Sequence, residues 1–253
     1  MSTDLRSAAR TALACLDLTS LNDADTPADI DALCRRAQTA HGPVAAVCVW
    51  PRFVAQARAA LPAAIKVAAV ANFPDGALEL QRALADIAEI AQAGGNEVDV
   101  VLPYRALIAG DSDEVAEFLS EVRFASRPLT LKVIIESGEL ATAERIAQAT
   151  RLALAAGADF VKTSTGKTPV GATPAAAAVM LKEIAASGLS AGFKASGGVR
   201  SVADAAGYIV QAEAALGAAA LNPQRLRFGA SGLLTDIESV LSGAESVATT
   251  AAY

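Results

Sequence analysis

The segment FVKTSTGK, residues 160–167, joins a short apolar run to a glycine-containing loop through the amine of Lys162. A run of this kind, bounded by polar and glycine residues, is typical of a strand buried in a parallel sheet. A lysine at the end of such a strand is unusual, because burying an unpaired ammonium group costs free energy. The segment therefore predicts a buried strand that ends on an amine that is either ion-paired or chemically active.

Seven further runs of apolar and β-branched residues have the same pattern, and segments with helix signals separate them. With the first, the predicted strands cover residues 12–18, 44–50, 65–73, 96–103, 129–137, 159–164, 190–196 and 225–231. Their starts are spaced by roughly thirty residues, which is the length of one strand–helix unit. Eight such units predict an α/β protein folded as a (β/α)8 TIM barrel with a short N-terminal helix. An open doubly wound sheet is the alternative that this pattern leaves open.

Helix starts and the chain end complete the predicted organisation. Thr26 and Thr173 each precede a proline and are predicted to cap helices, as is Ser201. Residues 1–253 are interpreted as one barrel domain, because no break in composition divides them. Residues 243–253 are small and polar and are predicted to form a mobile tail.

Composition argues against several classes of protein. The hydrophobic fraction is 53% but the aromatic fraction only 4%, which suits a parallel sheet covered by helices. The net charge of −6 and the scattered basic residues predict no nucleic-acid partner. The sequence has no signal-peptide pattern and no long apolar run, so no membrane partner is predicted. Three cysteines without CxxC spacing and a single histidine predict a reduced, cytoplasmic location and no metal or organic cofactor.

Polar side chains end the predicted strands, where the active sites of barrels lie. These strand ends are Asp17, Cys48, Asn72, Asp99, Glu136, Lys162, Lys194 and Ser231. Lys162 and Lys194 lie on neighbouring strands, so both amines can enter one cavity with Asp99 in reach. A nearby cation and desolvation favour the neutral form of an amine, which can attack a carbonyl and form a Schiff base. The alternative is that each lysine extends to solvent or pairs with a carboxylate.

Other polar residues of the predicted strands are harder to interpret. Asp99 is either a general acid and base or an ion-pair partner, and Asp17 is interpreted as an orienting group. Cys48 is a candidate substrate contact or simply a small buried residue, and no histidine accompanies it as a nucleophile's base. Lys66 and Lys132 are interpreted as a structural charge network on the barrel floor or in its interior.

Glycine-containing loops follow the last three predicted strands, namely STGK (164–167), SGGVRS (196–201) and FGASG (228–232). Backbone amides at helix N-termini suit phosphate, and barrels often bind phosphate in their last loops. The alternative is that these glycines only form tight turns. The candidate phosphate-binding residues are Thr165, Gly166, Lys167, Gly197, Gly198, Arg200, Gly229 and Ser231.

The sequence closely resembles the deoxyribose-phosphate aldolases through motifs that run along nearly the whole chain. The motifs are LDLTSLND (16–23), CVWPRF (48–53), NFPDG (72–76), EVDVVLPYRALIAGD (97–111), KVIIESGEL (132–140), GADFVKTSTGK (157–167), GFKASGGVR (192–200) and FGASG (228–232). The resemblance implies a class I aldolase of deoxyribonucleotide catabolism that needs no metal. Its reaction is the reversible cleavage of 2-deoxy-D-ribose 5-phosphate into D-glyceraldehyde 3-phosphate and acetaldehyde.

The resemblance also implies residue roles. It implies that Lys162 forms the Schiff base, that Lys194 tunes this amine and carries protons, and that Asp99 donates and accepts protons. Tyr253, the last residue, is implied as a further proton carrier, and a homodimer is suggested. The chain departs from the family where KASGG (194–198) replaces KPAGG and where GASG (229–232) replaces GASS, so one hydroxyl is lost from the expected phosphate site. Another Schiff-base barrel, such as a transaldolase, and a non-catalytic sugar-phosphate-binding barrel remain alternatives.

Overall fold

A computed structural model of the protein describes residues 4–244, which form a closed barrel of eight parallel strands surrounded by helices. Each strand pairs with its neighbours in chain order, and the last pairs with the first. The strands are β1 Leu16–Thr19, β2 Ala46–Val49, β3 Lys66–Ala71, β4 Glu97–Val101, β5 Thr130–Ile134, β6 Phe160–Lys162, β7 Gly192–Ser196 and β8 Leu226–Ala230. The predicted (β/α)8 barrel is confirmed, and the open sheet is wrong.

The helices pack their apolar sides against the outside of the barrel. They are α1 Leu5–Ala14, α2 Pro27–Arg36, α3 Val54–Ala60, α4 Leu80–Gln92, α5 Tyr104–Ala109, α6 Ser112–Ala125, α7 Ser137–Leu140, α8 Ala143–Ala155, α9 Pro174–Ser187, α10 Val202–Leu216 and α11 Leu233–Leu241. Two short 3₁₀ helices cover Pro51–Phe53 and Ala218–Ala220. The predicted N-terminal helix is α1, and the predicted caps Thr26, Thr173 and Ser201 each begin a helix.

The structure differs from the sequence-based prediction in one strand boundary and in one additional element. The first strand covers only Leu16–Thr19, because Ala12 and Leu13 belong to α1 and are buried there with helical spacing. A two-residue antiparallel ribbon between Gln38–Thr39 and Gly42–Pro43 has no signal in the apolar pattern.

The register of the barrel brings the polar residues together. Lys162 on β6 is the direct partner of Lys194 on β7, and Asp99 on β4 is the partner of Lys132 on β5. Directly paired residues on neighbouring strands point to the same side of a sheet. These four side chains therefore all enter the interior of the barrel, where they are buried.

No helix within residues 4–244 combines the length and the apolar character needed to cross a membrane. The predicted tail lies largely outside the described residues.

The cap of α9 gives a test of the fold that does not touch the barrel interior. The Thr173 hydroxyl accepts a hydrogen bond from the backbone N–H of Ala176 at 3.1 Å. We expect Thr173→Ala to lower the free energy of unfolding by about 1 kcal/mol, because a donor in the first turn loses its partner. Urea unfolding followed by circular dichroism measures the change. Ser120→Ala, at an exposed position of α6, is the control, and an equal effect of both substitutions would contradict the capping role.

Candidate active site

Seven charged side chains from six strands meet inside the barrel, and none is more than 5% exposed. We call this group the charge cluster. Its members are Asp17 on β1, Glu97 and Asp99 on β4, Lys132 on β5, Lys162 on β6, Lys194 on β7 and Arg227 on β8.

Asp99 is the centre of the charge cluster. Its Oδ2 atom accepts hydrogen bonds from the Nζ atoms of both Lys162 and Lys194, each at 2.8 Å. Its Oδ1 atom accepts one from Lys132 at 2.9 Å. Because one oxygen binds both Lys162 and Lys194, the two amines lie within twice that bond length of each other. The sequence-predicted pair of lysines with Asp99 in reach is therefore present.

Lys194 and Lys132 each contact a second carboxylate. Lys194 donates to Oδ2 of Asp17, and Lys132 lies 2.5 Å from Glu97 and 3.5 Å from Asp17. Lys132 thus belongs to the interior network, as predicted. Lys66 does not, because it is exposed at the start of β3, so its proposed place in an interior network is wrong.

Arg227 and Glu97 complete the network, and Arg227 was not among the residues predicted to take part in the site. The guanidinium group donates to both carboxylate oxygens of Glu97, at 2.8 and 3.1 Å, and to Oδ1 of Asp17 at 2.5 Å. Alternation along β8 is the signal that could have found Arg227, because it puts this residue on the same face as Gly229 and Ser231.

The ionisation of the charge cluster follows from these contacts. Burial acts to raise the pKa of Asp99, but the three neighbouring ammonium groups overcome it and hold that pKa well below its ordinary value. The pKa of Asp17 is likewise lowered, because Arg227 and Lys194 outweigh its burial. Burial acts to lower the pKa of Lys194, yet Asp17 and Asp99 raise it above the ordinary value. Lys194 is therefore an ammonium ion held between two carboxylates.

The charges of the cluster do not cancel, since four basic side chains meet three carboxylates. Buried ions depend on their ion pairs, so the number of carboxylates around each amine matters. Lys162 contacts only Asp99, whereas Lys132 and Lys194 each contact more than one carboxylate. Lys162 is thus the amine of the cluster with the fewest carboxylate contacts.

Gly229 makes room for Lys194. A Cβ atom at position 229 would lie 3.1 Å from Cε of Lys194 and 2.6 Å from the hydroxyl oxygen of Ser196. Any side chain at position 229 would therefore clash with Lys194 or Ser196. Gly229 thus has a packing role beside the charge cluster as well as a place in the cavity wall.

Cys48 and Tyr253 are the two remaining residues that the sequence predicts to take part in the site. Cys48 is fully buried on β2, and its burial and the Asp99 carboxylate raise the pKa of its thiol to about 11. The thiol is therefore not ionised near neutral pH. Tyr253 lies outside the described residues, and its role stays a prediction.

A cavity of about 250 Å³ opens at the carboxyl ends of β6, β7 and β8, beside the charge cluster. Residues of the three predicted loops form most of its wall. Its lining residues are Gly166, Thr168, Pro169, Gly171, Gly197, Gly198, Val199, Arg200, Gly229, Ala230, Ser231 and Gly232. Six of the eight candidate phosphate-binding residues are in this set, and Arg200 supplies its cationic side chain.

Ser231 is the polar group of this cavity that most needs a ligand. Its hydroxyl oxygen is buried and has no hydrogen-bond partner among residues 4–244. Helix α11 begins two residues later, and its cap Gly232 supplies no side-chain hydrogen bond to the first turn. An unpaired hydroxyl beside an uncapped helix N-terminus is suited to an anion.

The other two candidates, Thr165 and Lys167, do not line the cavity. The Thr165 hydroxyl donates to Glu136 at 2.5 Å and accepts from the backbone N–H of Lys167 at 3.0 Å. The Lys167 ammonium donates to the carbonyl of Leu21 at 2.7 Å, which ties this loop to the segment after β1.

The described part of the chain contains no group of three or more His, Cys, Asp or Glu side chains arranged to hold a metal ion. The carboxylates of the charge cluster are instead occupied by cationic side chains.

Comparison with known proteins gives the family. A sequence model of the DeoC/LacD family aldolases matches residues 11–236, which include every described member of the charge cluster and of the cavity wall. The chain belongs to the DeoC/LacD family of aldolases. It is 45% identical over 251 residues to a curated deoxyribose-phosphate aldolase from Agrobacterium fabrum, covering 98% of this chain and 97% of that protein.

Solved structures of related aldolases have the same barrel. A Toxoplasma gondii protein assigned to the deoxyribose-phosphate aldolases is 25% identical and superimposes with a TM-score of 0.86, over 96% of this chain and 99% of the other. The deoxyribose phosphate aldolase of Aeropyrum pernix, described as a tetramer, is 24% identical with a TM-score of 0.74, over 96% of this chain and 100% of that one. The DeoC/LacD fold therefore extends along nearly the whole chain.

The charge cluster predicts a specific response to acid. Lowered carboxyl pKa values contribute stability that is complete above the ordinary aspartate pKa of about 4 and is lost as the pH falls toward the folded-state value. In Lys132→Met, Asp99 loses the cation that lowers its pKa most. We expect the variant to lose about 3–5 kcal/mol of stability at neutral pH and to unfold at a higher pH on acidification.

Urea and acid unfolding followed by circular dichroism measure both changes. Lys66→Met is the matched control, because it removes an exposed strand lysine outside the cluster. Identical acid unfolding of the two variants would contradict the role given to Lys132.

Proposed function

We propose that the protein is a class I aldolase that reversibly cleaves 2-deoxy-D-ribose 5-phosphate into D-glyceraldehyde 3-phosphate and acetaldehyde. The observation that carries this proposal is the buried amine of Lys162, bonded to Asp99 and beside Lys194, next to a glycine-lined cavity with an unpaired hydroxyl. The name of the relative from Agrobacterium fabrum supports this substrate. The proposed partners are accordingly small phosphorylated sugars and aldehydes.

The covalent steps use Lys162. Its neutral amine adds to the C1 aldehyde of the open-chain sugar, and the carbinolamine loses water to give a protonated imine. A base then removes the proton of the 3-hydroxyl group, and the C2–C3 bond breaks. The electron pair of that bond moves into the imine to give an enamine, while C3 becomes the aldehyde of glyceraldehyde 3-phosphate. Protonation of the enamine at C2, followed by hydrolysis, releases acetaldehyde and restores the amine.

Proton transfer falls to the neighbours of Lys162. Lys194 is an ammonium donor and is close enough to Lys162 to protonate the carbinolamine hydroxyl. Asp99 contacts both amines, but a carboxyl group whose pKa is held so low does not keep a proton. Asp99 therefore passes protons on, directly or through water, rather than storing them. Asp17 keeps Lys194 oriented and charged.

The phosphate group occupies the cavity at the ends of β6, β7 and β8. Gly197 and Gly198 both have left-handed backbone conformations, with φ of 81° and 86°, which lets their peptide groups approach a ligand closely. The Ser231 hydroxyl and the first turn of α11 donate hydrogen bonds, and Arg200 adds a positive charge. Gly232 supplies no hydroxyl, so Ser231 is the side-chain hydroxyl in this last loop.

Four finer points also belong to the proposal. The reaction proceeds through the covalent imine on Lys162 without metal. Tyr253 carries protons, and Cys48 borders the substrate as a neutral thiol. The chain acts as a homo-oligomer, for which the family suggests a dimer, although the Aeropyrum pernix relative is described as a tetramer.

Trapping of the imine tests the proposal directly. We expect incubation with acetaldehyde and sodium borohydride to add a reduced two-carbon group to Lys162 alone, because reduction makes the imine bond permanent. Intact mass and peptide mapping locate the adduct, and a coupled assay with 2-deoxyribose 5-phosphate measures turnover.

Two variants serve as controls for this experiment. Lys162→Arg should form no adduct and lose at least about 10⁴-fold in turnover, since covalent catalysis is removed. Lys66→Arg should behave as the unmodified protein. A protein that binds 2-deoxyribose 5-phosphate but forms no adduct on Lys162 would instead be a non-catalytic sugar-phosphate-binding barrel.

Ser231→Ala tests the phosphate site. Hydrogen bonds to charged groups contribute about 1.5–3 kcal/mol, so we expect KM for 2-deoxyribose 5-phosphate to rise about 10- to 100-fold. Turnover of 2-deoxyribose should not change, because that sugar has no phosphate. Stability without ligand should be equal or higher, since an unpaired buried hydroxyl is removed. Steady-state kinetics and thermal unfolding measure these effects, and an equal loss with both sugars would refute the assignment.

A further inference from the structure

Glu136 is a buried carboxylate for which the mechanism above has no role. It follows β5, precedes α7 and is fully buried. Its backbone has a left-handed conformation, with φ of 52°, which is unfavourable for a residue with a side chain. Hydrogen bonds on either side fix this conformation, because the N–H groups of Ile135 and Ser137 donate to the carbonyls of Lys162 and Thr163. The strained turn therefore directs one carboxylate toward the loop after β6.

The Glu136 carboxylate binds the turn formed by residues 165–168. Its Oε2 atom accepts from the Thr165 hydroxyl at 2.5 Å and from the Thr165 N–H at 3.3 Å. Its Oε1 atom accepts from the Thr168 hydroxyl at 3.2 Å. One side chain thus holds both ends of the turn that contains Gly166 and Lys167.

This turn is part of the wall of the phosphate cavity, while Glu136 is not. Gly166 and Thr168 line the cavity, and Gly166 has a left-handed conformation with φ of 82°. Glu136 therefore acts on the cavity wall only through the turn that it binds. Burial raises the pKa of Glu136, so keeping a carboxyl group there costs free energy that the hydrogen bonds offset. Such a cost is expected where a group fixes a binding loop.

We propose that Glu136 is a positioning residue that holds the 165–168 turn in the shape that binds the phosphate group of the substrate. This inference rests on the proposed function, in that it assigns a support to the same phosphate site. It predicts that Glu136 affects the use of phosphorylated substrates much more strongly than the chemistry at Lys162, although the two charges attract each other.

Inorganic phosphate is the first probe, because its binding does not require aldol cleavage. We expect phosphate to raise the Tm of the unmodified protein, and Glu136→Gln to weaken phosphate binding about tenfold and lose most of that increase. Glu139→Gln is the matched control, because Glu139 is exposed three residues further on and should keep the full increase.

Steady-state kinetics with two sugars provides the second readout. Glu136→Gln should raise KM for 2-deoxyribose 5-phosphate about tenfold, and should change kcat for that sugar and kcat/KM for 2-deoxyribose by no more than about threefold. A general structural role would lower the turnover of both sugars alike. Thr165→Val should give the same split, and Thr165→Ser should restore normal values, since serine keeps the hydroxyl. The Glu136→Gln/Thr165→Val double variant should be no worse than either single one.

The outcomes separate the two proposals. If the unmodified protein binds phosphate and Glu136→Gln binds it equally well, the positioning role is wrong. If Glu136→Gln does not fold, Thr165→Val alone decides, and normal phosphate binding by that variant overturns the inference. If phosphate binding depends on Glu136 but no imine forms on Lys162, the inference stands and the aldolase mechanism fails. If phosphate does not stabilise the unmodified protein, both the phosphate site and the role of Glu136 are refuted.

Discussion

The carboxylate of Asp99 is shared by three ammonium groups, and the architecture of the barrel makes this arrangement possible. The seven members of the charge cluster come from six different strands. Neighbouring strands are about 4.8 Å apart, so in an open sheet the first and last of these strands would be too distant for their side chains to meet. Closure between β1 and β8 brings Asp17 and Arg227 into contact, and through Asp17 the cluster closes on Lys194. Charge pairing and barrel closure therefore depend on each other.

A buried network of this size is a poor way to gain stability, because desolvation of the ions offsets most of their attraction. Apolar side chains of similar volume would fill the same space at lower cost. The surplus of one basic group gives the network a different use. Lys162 is the amine with the fewest carboxylate contacts, and in the proposed mechanism it is the amine that attacks the aldehyde. The interior is thus arranged for reactivity, and the apolar packing around it provides the stability.

The sequence predicts much of this arrangement and fails for identifiable reasons. Runs of apolar and β-branched residues locate all eight strands, and strand order alone makes Lys162 and Lys194 neighbours. The contact of Arg227 with Glu97 could not be predicted, because the two residues are far apart in the chain and meet only across the closed barrel. The role of Glu136 was missed because it depends on a left-handed backbone conformation that a glutamate rarely adopts. The boundary between α1 and β1 was misplaced because alanine and leucine suit either element.

The three strands β6, β7 and β8 carry both parts of the site, and this fixes the distance between them. On β7, Lys194 lies inside the barrel while Gly197 and Gly198 form the cavity wall a few residues later. On β8, Gly229 leaves room for Lys194. Ser231, the residue after the strand, lines the cavity and has an unpaired hydroxyl. A strand advances about 3.3 Å per residue and is stiff, so the separation between amine and phosphate site cannot adjust freely. In the proposed mechanism a substrate spans that fixed distance with its aldehyde at one end and its phosphate at the other, which would select for chain length as well as for charge.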